Sequence, residues 1–214
     1  MKILLVNNES SAADMGPIAR ADELGLAVPS YNILNLRRVL EQYGDVTVCH
    51  YKDLPHVSFR PDCAFLSGRW ADWDAGRIEE EFSAELKLIR EGDLPIFGIC
   101  AGIQIIAFAF GAPCVWMKKK SGEHGYLPLP VLKEHPLTRG LSGTMTVFEH
   151  HGEEAAFAPE EFELLSSTRL CKVEMIAHRE KKICGTQFHP EFFTDRYPDG
   201  KILLENFLRE YVKQ

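Results

Sequence analysis

The chain has 214 residues, of which 45% are hydrophobic and 26% charged, an ordinary globular composition that predicts one α/β domain spanning residues 1–214. Its formal charge of −7, without any basic stripe interleaved with aromatics, argues against a nucleic-acid partner. Met1 to Val6 is too short for the core and cleavage site of a signal peptide, and no apolar run reaches the length of a membrane span, so a cytoplasmic protein with no membrane partner is expected.

Lys2 to Val6, bounded by Asn7-Asn8, suits a buried first strand of a parallel sheet. Residues 9–29 interrupt the expected strand-to-helix succession with a weak pattern and read as an insertion or flap. The spacing of Ile33, Leu36, Val39 and Leu40 then predicts a helix ending near Gly44. Val46 to Cys49 and Cys63 to Leu66 read as the second and third strands, the latter stopping at Ser67-Gly68. Ile78 to Arg90 carries an amphipathic pattern around Phe82, Leu86 and Ile89, and Pro95 to Ile99 is the next strand. Such alternation predicts a doubly wound, mostly parallel, flavodoxin-like sheet.

Ala101 to Phe110 is apolar on nearly every side, which predicts a helix buried against the sheet and stopped by Gly111 and Pro113. The basic run Lys118 to Lys120 beyond it reads as a solvated end. From there Pro128, Pro130, Pro136, Gly140 and Gly143 punctuate short segments, so antiparallel hairpins are expected before Lys182 to Gln187 rejoins the sheet. Ile202 to Val212 closes the chain as an amphipathic helix.

The sharpest local signal is Gly98-Ile99-Cys100-Ala101-Gly102, a strand that turns at once into a helix with a thiol at the bend. Glycines on either side permit such a nucleophile elbow, because side chains there would clash as the chain reverses. A helix N-terminus favours the thiolate, the reactive form. A GxCxG taken alone is equally compatible with a buried cysteine in a turn. The other cysteines, Cys49, Cys63, Cys114, Cys171 and Cys184, form no CxxC pair, so neither a zinc site nor a disulfide framework is expected and packing roles suffice.

A cysteine nucleophile needs a base, and the base needs an acceptor that fixes its orientation. His189-Pro190-Glu191 offers both, with proline stiffening the backbone between them. It is the combination that carries specificity: Gly98-Ile-Cys-Ala-Gly-Ile-Gln104 followed by Gly185-Thr-Gln-Phe-His-Pro-Glu191 resembles the paired signature of the class I glutamine amidotransferases. Further along the chain, Ile3 to Ser10, Ser30-Tyr-Asn32, Leu66-Ser-Gly68, His151-Gly-Glu153 and Thr194 to Leu208 resemble that family's other landmarks. Gly125 to Leu141 is similar to a segment of GMP synthetase glutaminases, with anthranilate synthase glutaminases a near rival.

The resemblance implies that Cys100 attacks the glutamine amide carbon, His189 relays protons and Glu191 orients His189. It further implies that the backbone N–H groups of Gly68 and Ala101 form the oxyanion hole and that Gln104, His150 and His151 help hold the substrate. No metal and no cofactor are implied. Two departures concern substrate identity: Arg69-Trp70 stands where relatives usually carry a small residue or proline, and Ile103 and His150 replace commoner residues. His150 and His151 with Glu149 and Glu153 could be drawn as a metal cluster, but neighbours on a strand point to opposite faces. Trp70, Trp73 and Phe65 read equally as core, docking or substrate contacts.

No Walker loop occurs in the sequence, so the leading expectation is a glutaminase that supplies ammonia to a separate synthase or synthetase chain. The alternative is a partner-independent hydrolase of a γ-glutamyl amide, which Arg69-Trp70 and the 9–29 segment favour. A third reading, a non-catalytic regulatory protein, sits poorly with a complete Cys-His-Glu set.

Overall fold

Along the first strand, Ile3 and Leu5 join one buried apolar cluster and Leu4 and Val6 another, so this strand is covered on both faces. The computed structural model describes residues 1–10, 33–69, 74–117 and 123–212. Among them a seven-stranded sheet runs β2-β1-β3-β4-β11-β10-β9, with β1 (Lys2–Asn7), β2 (Asp45–His50), β3 (Cys63–Leu66), β4 (Ile96–Ile99), β9 (Phe162–Ser166), β10 (Met175–His178) and β11 (Ile183–Thr186). The strands from β2 to β11 pair in parallel, whereas β10 and β9 are antiparallel additions at the edge.

Helices cover both faces, as expected for a doubly wound sheet. α1 (Ile33–Leu40) and α5 (Asp199–Phe207) cover the face that carries Leu5, Phe65 and Phe97, where the Phe207 ring meets Phe65 at 5.3 Å and Phe97 at 5.2 Å. α3 (Ser83–Glu91) and α4 (Ala101–Ala109) cover the other, packing Leu86, Ile89, Ile103 and Ile106 on Val6, Leu66 and Ile96. The predicted antiparallel hairpins are present as β6 (Glu123–Pro130) with β7 (Thr144–His151), and β5 (Cys114–Trp116) with β8 (Glu153–Ala155).

Three details differ from the sequence pattern. The helix expected over Ile78 to Arg90 is split into α2 (Ile78–Glu81) and α3, because Phe82 leaves helical backbone (φ −106°, ψ 23°) while its buried ring stacks on Tyr51 at 4.6 Å. Tyr51–His56 forms a 3₁₀ helix that the periodicity did not reveal. The closing helix begins at Asp199, earlier than expected, and Leu208–Val212 widens into a π turn. Residues 11–32, Trp70, Trp73 and Lys118 to Lys120 lie outside the described residues, and with them most of the segment read as an insertion. No helix among the described residues is long and apolar enough to cross a membrane.

Four neighbouring parallel strands, β1, β3, β4 and β11, end on the same side of the sheet, and the residues that follow them define the crevice where open α/β sheets bind ligands. The loop after β3 is tied to the turn after β1. The Asn8 backbone N–H donates to the Ser67 hydroxyl oxygen at 3.0 Å, and the Asn8 side-chain amide donates to the Ser67 carbonyl at 3.0 Å. That amide also donates to Glu85 Oε1 at 3.3 Å. Glu85 is fully buried in α3, and burial, only partly opposed by the Asn8 hydrogen bond, pushes its carboxyl up to about 8.

The sign of this shift makes Glu85 a pH-dependent liability. An unfolded chain releases the Glu85 proton near its ordinary value of 4.5, while the folded chain keeps it to about 8, so stability falls as pH rises between those values. Glu85→Gln removes the titration and preserves the shape. Its melting temperature should match that of the native chain below about pH 4 and exceed it increasingly up to about pH 8, where the stability difference reaches a few kcal/mol. Parallel melting curves across that range would refute this account of Glu85.

Candidate active site

Cys100 occupies the single residue between β4 and α4, and its backbone is the only non-glycine one with positive φ among the described residues (φ 52°, ψ −107°). Such a conformation costs about 1–3 kcal/mol and persists only when neighbours over-determine it. Here the Cys100 N–H donates to the Thr186 carbonyl of β11 at 2.8 Å. Gly98 and Gly102 are required by close approach: a methyl on Gly98 would stand 2.6 Å from the Gly102 carbonyl carbon, and one on Gly102 would run into the Leu66 carbonyl of β3. The strand-to-helix turn is therefore wedged between two neighbouring strands.

β11 delivers the second half of the site. Beyond its end, the His189 N–H donates to the Phe148 carbonyl of β7 at 2.8 Å, forming an isolated bridge that holds the backbone in place. His189 Nδ1 lies 2.8 Å from Glu191 Oε1, and because a carboxylate only accepts, Nδ1 carries a proton. The other ring nitrogen, Nε2, is not engaged by Glu191, and Gly68 adjoins both the His189 ring and the Cys100 side chain. Burial works against a charged imidazole, but the Glu191 carboxylate and the neighbouring Cys100 outweigh it and raise His189 well above its ordinary value. Asn35 of α1 steadies the segment by donating to the Glu191 carbonyl at 3.1 Å.

Gly68 lies against both partners. A methyl placed on it would stand 3.0 Å from His189 Cε1 and 3.3 Å from Cys100 Cβ, so any side chain here would press on both residues. Ala101 is the first residue of α4, and its N–H therefore has no acceptor within the helix. Gly68 thus adjoins the Cys100 side chain, and Ala101 follows Cys100 directly in the chain. Gly68, His189, Glu191, Glu9, Arg69 and His150 are among the residues that line a depression at this point.

The remaining expectations divide. His150 faces the depression, with its Nδ1 2.9 Å from Nδ1 of His124 across the β6–β7 hairpin. His151 does not: strand alternation turns it to the interior, where Nδ1 donates to the Glu153 carbonyl at 3.0 Å and Nε2 lies 3.1 Å from Glu149 Oε2. His151 instead brings a ligating atom within 4.8 Å of those of Cys171 and Glu174, a different grouping from the adjacent residues weighed in the sequence. Gln104 is also directed inward, its amide donating to the Glu153 carbonyl at 2.9 Å and to Gln187 Oε1 at 3.1 Å while its oxygen accepts from Cys114 at 3.3 Å. Arg69 turns its guanidinium to Glu81 at 3.3 Å and to the Asn8 carbonyl at 3.0 Å. It anchors the Gly68 loop and at the same time lines the depression.

One neighbour of the sulfur escaped the sequence reading as an individual residue. Gln187, fully buried, places its amide nitrogen 3.6 Å from Cys100 Sγ. Its position between Thr186 and His189 in the second motif was the available signal. Burial pushes the thiols of Cys114, Cys171 and Cys184 up, leaving them protonated and inert.

A family model described as "Glutamine amidotransferase class-I" matches residues 28–211. A protein from Methanosphaera stadtmanae, named as one of the subunits of a glutamine-hydrolysing GMP synthase, is 38% identical over 124 residues, 56% of this chain, and the match spans 63% of that protein's own length. The protein of the same name from Thermoplasma acidophilum is 33% identical over 174 residues, covering 80% of this chain and 83% of its own. A crystal structure from T. acidophilum, described as that of a candidate GMP synthase subunit, superimposes with a TM-score of 0.74 at 28% identity, over 98% of this chain and 92% of the other.

The elbow can be tested by its weakest tolerance. In Gly102→Ala the helix gains roughly 1 kcal/mol of intrinsic propensity, but the added methyl meets a strand carbonyl that cannot rotate away, and such overpacking costs about 1–3 kcal/mol. Thermal melting should show a net loss of several degrees, with slower alkylation of Cys100 as the turn is displaced. A variant as stable as the native chain would mean that β3 and α4 are less tightly joined than the geometry indicates.

Proposed function

The chain belongs to the class I glutamine amidotransferase family, and we propose that it hydrolyses the side-chain amide of glutamine and passes the ammonia to a synthase on a separate chain. The observation that carries this reading is the convergence beside Gly68 of Cys100, held on a strained turn, and the His189 imidazole, with the Glu191 carboxylate 2.8 Å behind that imidazole.

In the proposed reaction the Cys100 thiol passes its proton to His189 Nε2, the sulfur attacks the amide carbon, and the carbonyl oxygen becomes an oxyanion between the N–H groups of Gly68 and Ala101. Each such donor is worth about 3–4 kcal/mol in a hydrolase where it has been removed. His189 gives its Nε2 proton to the departing nitrogen, so that ammonia leaves and a thioester remains on the sulfur. Water then adds to the thioester, losing a proton to His189, and glutamate departs as the sulfur is restored. Glu191 holds the imidazole in the required tautomer and offsets its positive charge.

Relatives named as subunits of glutamine-hydrolysing GMP synthases support a second chain as the acceptor's home, and the formation of GMP as the use of the ammonia. A partner-independent hydrolase drew its support partly from Arg69 as a substrate contact. The guanidinium is already engaged by Glu81 and the Asn8 carbonyl, which weighs against that reading, while Arg69 still lines the depression.

The purified chain should release ammonia from glutamine slowly and accelerate when its synthase docks, because closure of a loop-borne oxyanion donor can be gated by a partner. Cys100→Ala should abolish the release without unfolding the chain, and a glutamine-shaped alkylating agent should label Cys100 alone. Ammonia release that survives in Cys100→Ala would remove the assigned nucleophile. Rapid hydrolysis of a γ-glutamyl conjugate with no stimulating partner would favour the partner-independent hydrolase.

A further inference from the structure

Around the Cys100 sulfur the hydrogen-bond directions can be read without ambiguity, starting from a group that cannot donate. The Glu153 carbonyl is approached by Gln104 Nε2 at 2.9 Å and by His151 Nδ1 at 3.0 Å. A carbonyl only accepts, so the Gln104 atom facing it is the amide nitrogen, and the Gln104 oxygen is left for the Cys114 thiol at 3.3 Å. The same Gln104 nitrogen lies 3.1 Å from the Gln187 side chain, which must present its oxygen there. Gln187 therefore has its NH₂ group directed to Cys100, 3.6 Å from Sγ.

We infer that Gln187 is a positioning residue for Cys100, donating an N–H to the sulfur, and that Gln104 acts through Gln187 by holding its amide in the donating orientation. This deepens the reading of Cys100 as a nucleophile and rests on it. Gln104 is at the opposite end of α4's first turn from the sulfur and has its amide committed to three protein groups, so its influence on the reaction runs along the chain Glu153 carbonyl, Gln104, Gln187, Cys100.

Chemistry favours a neutral amide in this place. Gln187 is fully buried, and a buried cation that stabilised the thiolate would itself need a counter-charge, whereas an amide offers a donor at a small desolvation cost. An amide whose orientation were not enforced could equally turn its oxygen to the sulfur and repel a thiolate. Gln104 removes that option, because turning Gln187 would set its NH₂ against the Gln104 NH₂. The inverted pair leaves one N–H of each amide facing another donor, and in a buried site unsatisfied donors are expensive. Gln187 also constrains geometry: its backbone N–H donates to the Glu174 carbonyl at 2.8 Å, so the amide reaches the sulfur from a fixed base just beyond β11 while His189 approaches from further along the same segment.

The test reads the sulfur directly and does not require a known substrate. Iodoacetamide labelling of Cys100, located by mass spectrometry, is followed against pH in the native chain, Gln187→Met, Gln104→Leu and the double variant, with melting curves as a control on folding. Gln187→Met keeps the volume and removes the donor. Its labelling should slow about three- to tenfold near neutral pH, the effect of one hydrogen bond, and the difference should shrink as the solution is made more alkaline. Gln104→Leu should slow labelling less, and the double variant should be no slower than Gln187→Met alone, because the two residues act in series.

A Gln187→Met profile that coincides with the native one, or that is slowed equally at every pH, would overturn the inference, since the second result is what a displaced backbone produces. Additive slowing in the double variant would overturn the role given to Gln104. The function stands or falls separately: if no variant and not even the native chain releases ammonia from glutamine, the glutaminase reading fails while the labelling result still decides the part played by Gln187.

Discussion

The turn from β4 into α4 at Cys100 is the constraint on which the other parts of the site depend. A residue with a side chain is held at positive φ, and the chain on either side passes so close to its neighbours that Gly98 and Gly102 have no room for a methyl. Neither feature is stable alone. The turn persists because Thr186 takes the Cys100 N–H and because Ile103, Ile105 and Ile106 of α4 are completely buried. Burying side chains of this kind is worth about 1.5–3 kcal/mol each, which exceeds the roughly 1–3 kcal/mol of strain at one backbone position.

Once the turn is wedged between β3 and β11, the remaining groups arrive by connectivity. Gly68 follows β3, and Gln187 and His189 follow β11, so each is delivered to the sulfur by a strand that flanks β4. Proximity of this kind needs little precision from any single side chain. What needs precision is the direction of each hydrogen bond, and this comes from acceptor-only groups: the Glu191 carboxylate sets the proton on His189, and the Glu153 carbonyl sets the amide of Gln104. A buried polar network with such fixed ends is specified in one arrangement, whereas one built only from reversible amides would not be.

The loop that carries Gly68 is held from two sides. Asn8, in the turn after β1, donates to Ser67 from both its backbone and its side chain, and Arg69 reaches back to Glu81 and the Asn8 carbonyl, with Tyr51 donating to the same Glu81 carboxylate at 2.6 Å. Both anchors lead to α2 and α3, on the face of the sheet away from α1 and α5. The loop's position is thus coupled to helices that make no direct contact with the sulfur, and the buried Glu85 carboxyl lies within that coupling.

Periodicity and punctuation determined the sheet, most of the helices and the elbow, because these follow from which residues are apolar and where glycine and proline stop a run. The Cys100, His189 and Glu191 set was visible for a similar reason: each lies in a short motif whose members are close in sequence. The directions of His151, Gln104 and Arg69 were not visible, since each side chain chose a partner by its place in the fold, and only the folded arrangement says whether an interior carbonyl, a distant carboxylate or the open depression is nearest. Splitting of the helix at Phe82 belongs with them, decided by the Tyr51 ring. Sequence alone therefore nominated the groups proposed to react; tertiary structure decided which way each one faces, because orientation is set by whichever buried donor or acceptor would otherwise be left unsatisfied.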